Sequence, residues 1–345
     1  MSQTTAGTSK KRNTRLEDLA RLADVSIATV SRALNDSPAV NQATKERIWR
    51  IARDRNYAFR PSMPAILSGA SATIAVVIPT PQGRKGSLVD PFFLELIGCV
   101  GEAARETGTD VLVSHIAPRN YDDVARLAAS NRAEGVIFLG QSSLHERFNR
   151  LAETQKRFVG WGGALPGQRY CSVGSDNFRG GRRATLHLTR LGRRRIAFFG
   201  DAEAPEVLQR LQGYRTALEE AGLSPDDGFV SPVHFDIESA ENAVESLLAS
   251  GRDFDGAVCA SDLVALGVVR GLLRRGRAVP RDVSVVGYDD LQLARFATPA
   301  LTTISQNLMK AGRMLVSKLM SSTAGQEITS ERLPTELIVR ETCGA

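Results

Sequence analysis

TRLEDLARLADVSIATVSRALNDSPAVNQATKERIWRIARDRNY, residues 14–57, decides how the rest of the chain is read. Thr14 and Glu17 form a capping box, in which hydroxyl and carboxylate each satisfy a free backbone N–H at a helix start. Leu16, Leu19, Ala20 and Ala23 then recur at helical spacing. After a short break, Ser26 can cap a second helix with Val30 and Leu34 on its inner face. The Asn35-Asp36-Ser37-Pro38 cluster ends that helix. Asn41 can cap a third, whose apolar set is Ile48, Trp49, Ile51 and Ala52. Two short helices joined by a tight turn and braced by a third have the geometry of a helix-turn-helix DNA reader.

Charge points the same way. Residues 1–60 hold twelve Lys/Arg against six Asp/Glu, while the whole chain holds 44 against 38, leaving 32 of each sign in the other 285 residues. The formal charge of +6 therefore sits entirely in the segment with the three helices. Such asymmetry is expected of a phosphate-binding module joined to a neutral domain. Within the second helix, the first turn is the part that enters a major groove. Ile27 and Ala28 are then base readers, limited to thymine methyls and steric exclusion. Arg32, one turn on, is able to make a bidentate contact to guanine. Ser26, Thr29, Ser31 and Asn35 suit phosphate oxygens, which fix register rather than sequence, and Thr14 joins this DNA-contacting set.

The run TRLEDLARLADVSIATVSRALN resembles the N-terminal headpiece of the LacI/GalR family of bacterial transcription regulators, and the match is near-continuous through the third helix. One position departs from the pattern. The family usually has Gly in the turn, where this chain has Asp24; the position requires φ > 0, which Asp tolerates better than most side chains. The resemblance implies that residues 61–72 are a hinge, folding into a short helix only on the operator, with Leu67 as an apolar wedge that partly unstacks a base step. Pro61 and Pro64 would shorten that helix, since proline fits only its first turn.

Residues 1–13 (MSQTTAGTSKKRN) are small, polar and basic, as expected of a disordered tail. They lack the apolar core of a signal peptide, and no run of eighteen apolar residues follows, so a soluble, cytoplasmic protein with no membrane partner is expected. Cys99, Cys171, Cys259 and Cys343 form no C-x-x-C pair, and His115, His145, His187 and His234 are scattered. No metal site, disulfide framework or cofactor is indicated.

From Thr73 onward short apolar runs alternate with amphipathic helices. TIAVVIP, DVLVSHI, GVIFLG and RFVGWG read as strands with helices at 91–107, 121–131 and 143–155. YCSVGSD, RIAFFGD, FVSPVHF, GAVCASD and VSVVGYDD follow, with helices near 178–191, 207–221, 238–250 and 262–275. This βαβ repetition means parallel sheets covered by helices, and the length calls for two α/β subdomains. The expected fold is thus an all-α headpiece at 14–60 followed by an α/β core at 73–345. The core resembles the family's periplasmic-binding-protein-like module. The resemblance implies three crossings between its lobes near 173, 302 and 331, giving an N-subdomain of 73–173 plus 303–330 and a C-subdomain of 174–302 plus 331–345.

Open α/β sheets bind ligands beyond the carboxyl ends of their strands. Phe92, in the run Asp90-Pro91-Phe92-Phe93, matches the family's position for an aromatic that covers the ligand, while Trp161 and Phe235 end strands and offer further rings. Arg210, at the start of a helix, is in register with the family's ligand-clamping arginine, whose fork suits hydroxyls or a carboxylate. Ser261 and Asp289 close the set, Asp289 as an acceptor for hydroxyl protons. The plainer alternatives are core aromatics at Phe92 and Phe235 and an interlobe ion pair between Arg210 and Asp289. The family often has Asp just before Trp161, where this chain has Gly160. The effector class implied first is a carbohydrate or sugar derivative.

No G-x-G-x-x-G follows the first strand, and G-x-x-x-x-G-K-[ST], H-E-x-x-H and G-x-S-x-G are all missing, so no catalytic constellation is expected. The expected function is a homodimeric repressor that reads a pseudo-palindromic operator and responds to a small effector. The competing reading is a periplasmic-type receptor without DNA binding, which predicts a signal peptide and no basic headpiece. The chain ends at ELIVRETCGA without the leucine-heptad tail of the family's tetramers, which favours a dimer.

Overall fold

A computed structural model of the chain describes residues 16–34, 37, 39–55, 72–79, 90–116, 123, 125, 133–141 and 144–345. The tail at 1–13, Thr14, Asn35, hinge residues 61–71 with Leu67, and most of the helix expected at 121–131 lie outside the described residues. Contacts divide the chain into two units, Met1–Ser71 and Ala72–Ala345.

The first unit contains α1 (Leu16–Leu22), α2 (Ile27–Leu34) and α3 (Gln42–Asp54). Leu19, Ala20 and Ala23 from the first helix and its end, Val30, Ala33 and Leu34 from the second, Val40, and Ile48 and Ala52 from the third form one core. Trp49 and Ile51 pack on its margin. Asn41 Oδ1 accepts from Thr44 N at 2.9 Å, capping α3.

The second unit is built on two six-stranded sheets of matching topology. The first orders β11 (Glu331–Leu333), β5 (Ser172–Ser175), β4 (Phe158–Trp161), β3 (Gly135–Leu139), β1 (Thr73–Pro79) and β2 (Asp110–Ile116). The second orders β12 (Glu336–Ile338), β10 (Thr302–Ser305), β9 (Ser284–Asp289), β8 (Gly256–Cys259), β6 (Ile196–Phe199) and β7 (Val230–Ser231). All pairings are parallel except β10 with β12. Along β1, Ile74, Val76 and Ile78 enter one core layer while Ala75 and Val77 enter the other. Burial on both faces explains why this strand reads as a continuous apolar run.

Helices cover the sheets. In the first lobe these are α4 (Pro91–Glu106), α5 (His145–Thr154) and, from further along the chain, α11 (Leu308–Thr323). The second lobe has α6 (Asn177–Arg190), α7 (Pro205–Glu220), α8 (Ile237–Ala249), α9 (Asp262–Arg274) and the short α10 (Gln292–Phe296). Side chains of Asp90, Asp176, Asp236, Ser261 and Asn307 cap α4, α6, α8, α9 and α11.

The chain crosses between sheets after Ser175, after Ser305 and after Leu333, a few residues later than the expected 173, 302 and 331. Residues 303–305 thus pair within the second sheet and 331–333 within the first. FVSPVHF contracts to Val230–Ser231, because Pro232 has no N–H to continue the ladder. Among the described residues no helix is long and apolar enough to cross a membrane.

Candidate nucleic-acid interface and interlobe cleft

In the three-helix unit Asp24 has φ 47°, so the turn takes the left-handed conformation with a carboxylate residue in place of glycine. Ser26 begins α2: its Oγ accepts from Thr29 N at 3.1 Å and lies 2.9 Å from the Thr29 hydroxyl. Val30, Ala33 and Leu34 face the core, while Ile27, Ala28, Ser31 and Arg32 are exposed and Thr29 is half-buried. Ile27 is 49% exposed at the start of α2, on the side of the helix away from the core. An apolar side chain held in water at the start of a helix that also exposes a guanidinium one turn on suits contact with base edges more than packing. Of the expected contact residues, Thr14, Asn35 and Leu67 fall outside the described set.

The second unit brings its predicted residues to the carboxyl ends of the strands, beside the points where strand order reverses, between β1 and β3 and between β6 and β8. On the first lobe Asp90 Oδ1 accepts from Phe92 N at 2.9 Å. The Phe92 ring lies 6.1 Å from that of Trp161, which is buried at the end of β4. Phe92 packs only partly against the lobe's core, so the pair forms an aromatic wall with Phe92 at its open side.

On the second lobe Arg210, Ser261 and Asp289 converge. Arg210 lies in the second turn of α7, rather than at its start. Its guanidinium stacks 3.6 Å from the centre of the Tyr288 ring, donates through Nε to Asn177 Oδ1 at 2.9 Å, and donates through a terminal nitrogen to the Ala260 carbonyl. Ser261 Oγ caps α9 by accepting from Val264 N at 3.2 Å. Asp289 is buried, and its Oδ1 accepts from Gln306 Nε2 at 2.6 Å. Burial pushes its carboxyl well above the usual range; the Arg210 charge opposes this, and Asp262 and Asp90 add to it. Two residues on, Leu291 is buried in the first lobe's core, against which Phe92 packs, which brings the end of β9 close to α4. Among the described ion pairs none joins Arg210 to Asp289.

Phe235 departs from the expected set. It lies in the loop before α8, 40% exposed, and no ring or polar contact among the described residues joins it to the others. The residues that complete the polar floor are Ser175, Asn177, Tyr288 and Gln306. Ser175 Oγ donates to Gln306 Oε1 at 2.5 Å and lies 3.5 Å from the Tyr288 hydroxyl. The lobes also touch directly, through Gly163 N to Glu206 Oε1 at 3.3 Å and Gln209 Nε2 to the Ala164 carbonyl at 2.8 Å. Asp90 had a readable signal, an acid before Pro at a helix start. Ser175 and Gln306 had none, since nothing local marks a hydroxyl or amide buried at a lobe crossing.

Comparison with known proteins gives these sites a context. Residues 15–59 match the bacterial regulatory proteins, lacI family, and residues 185–343 match the periplasmic binding protein-like domain. The chain is 33% identical over 339 residues to the HTH-type transcriptional regulator CelR of Thermobifida fusca, covering 96% of this chain and 99% of that one. It is 31% identical to the HTH-type transcriptional repressor CytR of Escherichia coli (strain K12), covering 94% and 95% of the two chains. A solved transcriptional regulator CelR-cellobiose complex has a TM-score of 0.69 at 31% identity, covering 96% of this chain and 100% of that one. A lac repressor dimer bound to operator and the anti-inducer ONPF, at 24% identity, shares the fold with a TM-score of 0.70 over 97% of this chain and 100% of that one.

Proposed function

The chain belongs to the lacI family of bacterial regulatory proteins, as a DNA-binding transcriptional regulator, and from that premise we propose that it is a homodimeric repressor whose operator affinity is set by a carbohydrate-derived effector in the interlobe cleft. The observation that carries the DNA side is the exposed row Ile27, Ala28, Ser31 and Arg32 on a helix whose other face is core, within the segment that holds the whole +6. A receptor without DNA binding would have no use for that segment. The effector side rests on the cleft's chemistry. An aromatic wall at Phe92 and Trp161 faces a polar floor in which Asp289 retains a second carboxyl oxygen to hydrogen-bond a hydroxyl. Cellobiose, the ligand of the CelR complex, is the natural first probe. No step of this reading requires catalysis or a cofactor.

The test is selection from a random duplex library with the purified full chain, followed by a sugar screen by thermal shift. The expected outcome is an inverted pair of half-sites bound on the order of a thousandfold or more tighter than random DNA. Cellobiose or a related saccharide should raise Tm and weaken operator binding. Asp289→Ala should remove the sugar response and leave operator affinity within about twofold. A chain that prefers no duplex over random DNA overturns the regulatory reading. A normal sugar response in the variant moves the effector elsewhere.

A further inference from the structure

Asp289 and Asp290 have φ of 123° and 61°, a region where side chains are strained and glycine is the usual occupant. Each is held there by a side chain from another segment. Gln306 donates to Asp289 at 2.6 Å, and Arg340 donates to Asp290 at 2.5 Å within a largely buried ion pair. Gln306 belongs to the second lobe crossing, and through Ser175 it is tied to the first.

Beyond Asp290 the chain leaves its own lobe. Leu291 is fully buried in the core of the first lobe, in the cluster that holds Phe92 and Phe93. Its N–H donates to Asp262 of the second lobe at 2.8 Å. Gln292 N donates to Glu95 Oε1 on α4 at 2.7 Å. By Ala294 the chain is back in the core of the second lobe. The strained pair of aspartates thus opens a short excursion that buries Leu291 in the opposite lobe and packs Leu293 against the same core.

We propose that the Asp289–Gln292 turn is a strained coupling element between cleft and lobe contact, and that Gln306 is the positioning residue that sets its geometry. A group that competes for the Asp289 carboxylate weakens the Gln306 anchor. Relief of the backbone strain then moves Leu291 and Gln292 against α4. The inference rests on the effector reading only for what displaces Asp289, and its test uses no ligand, so the two fail separately.

The experiment is hydrogen–deuterium exchange on the full chain. Gln306→Met keeps the side-chain length and removes the anchor. Exchange should rise about tenfold, the factor for losing one net hydrogen bond, at Leu291 and Gln292 and also at the first turn of α4 in the other lobe. Strand β8 is the internal control and should not change. The reciprocal variant, Glu95→Ala, alters a half-buried side chain and should raise exchange at Ser305–Asn307 in the second crossing. A rise confined to residues 289–290, an equal rise across the chain, or an unchanged crossing in Glu95→Ala each overturns the proposal. If Gln306→Met does not fold, the Glu95→Ala result decides alone.

Discussion

Arg32 is the charged residue of α2, and it stands exposed one turn beyond Ile27 and Ala28. A guanidinium there reads guanine through two parallel hydrogen bonds, a contact worth roughly 1–3 kcal/mol of discrimination. Arg32→Ala should therefore relax preference at one base pair in each half-site and lower affinity for random DNA only slightly. Identical consensus sequences selected by wild type and variant would assign Arg32 to the phosphates. Its position was legible from sequence because helix period and cap fix which side chains face outward within a single short unit. Arg210 shows the opposite case. Sequence brought it to the cleft with Ser261 and Asp289, but its acceptors, Asn177 and the Ala260 carbonyl, stand 33 and 50 residues away. No local pattern says which of several nearby acceptors a guanidinium fork will take.

At the scale of elements, the site depends on how closely α6 and α7 approach. A Cβ on Gly181 would lie far inside contact with the Arg210 carbonyl oxygen, and one on Gly213 would meet the Phe178 carbonyl. The two helices touch backbone to backbone at the turn that carries Arg210. Gly181→Ala should destabilise the core by about 1–3 kcal/mol, as overpacking does, and weaken effector binding by displacing Arg210. Gly98 in α4 is the counterpart, with nothing within 4 Å of its would-be Cβ. Gly98→Ala should stabilise by roughly 0.5–1 kcal/mol, the ordinary gain for glycine inside a helix. Urea denaturation of both variants checks the contrast, and equal effects would discredit the close approach. Nothing in the sequence separates these two helical glycines, since each sits inside a helix with a second glycine within three residues. The long elements were legible: TIAVVIP and DVLVSHI match β1 and β2 to the residue, β1 because burial on both faces leaves an unbroken apolar run, and β2, an edge strand with Leu112 and Val113 exposed, through its valine-rich run. The crossing strands β11 and β12, three residues each, carry no such run and are defined only by their partners β5 and β10.

For the whole molecule, charge divides the work: a basic reading unit and a neutral core whose own acids are partly buried in the cleft. Asp262 is fully buried, its two oxygens accepting from the Thr303 hydroxyl at 2.5 Å and from Leu291 N at 2.8 Å. Burial, with a smaller push from Asp290, raises its pKa to about 7, against the pull of those two donors and of Arg340. Burial raises Asp289 as well, and the Asp262 charge adds to it. A carboxyl whose pKa is raised on folding binds its proton more tightly in the native state. Its contribution to stability is therefore complete below the unfolded value of about 4 and is lost as pH rises through about 7. Core stability should fall across that window, with a slope of up to about 1.4 kcal/mol per pH unit for each group. Asp262→Asn cannot ionise and keeps a carbonyl acceptor for one of the two donors, so it should flatten the profile between those limits. It should also lose some stability at low pH, where the wild-type acid makes both contacts. Urea midpoints at closely spaced pH values would read this directly. A variant profile parallel to wild type would mean that Asp262 ionises at an ordinary pH, and the cleft would then hold a full carboxylate beside Asp289 under all working conditions.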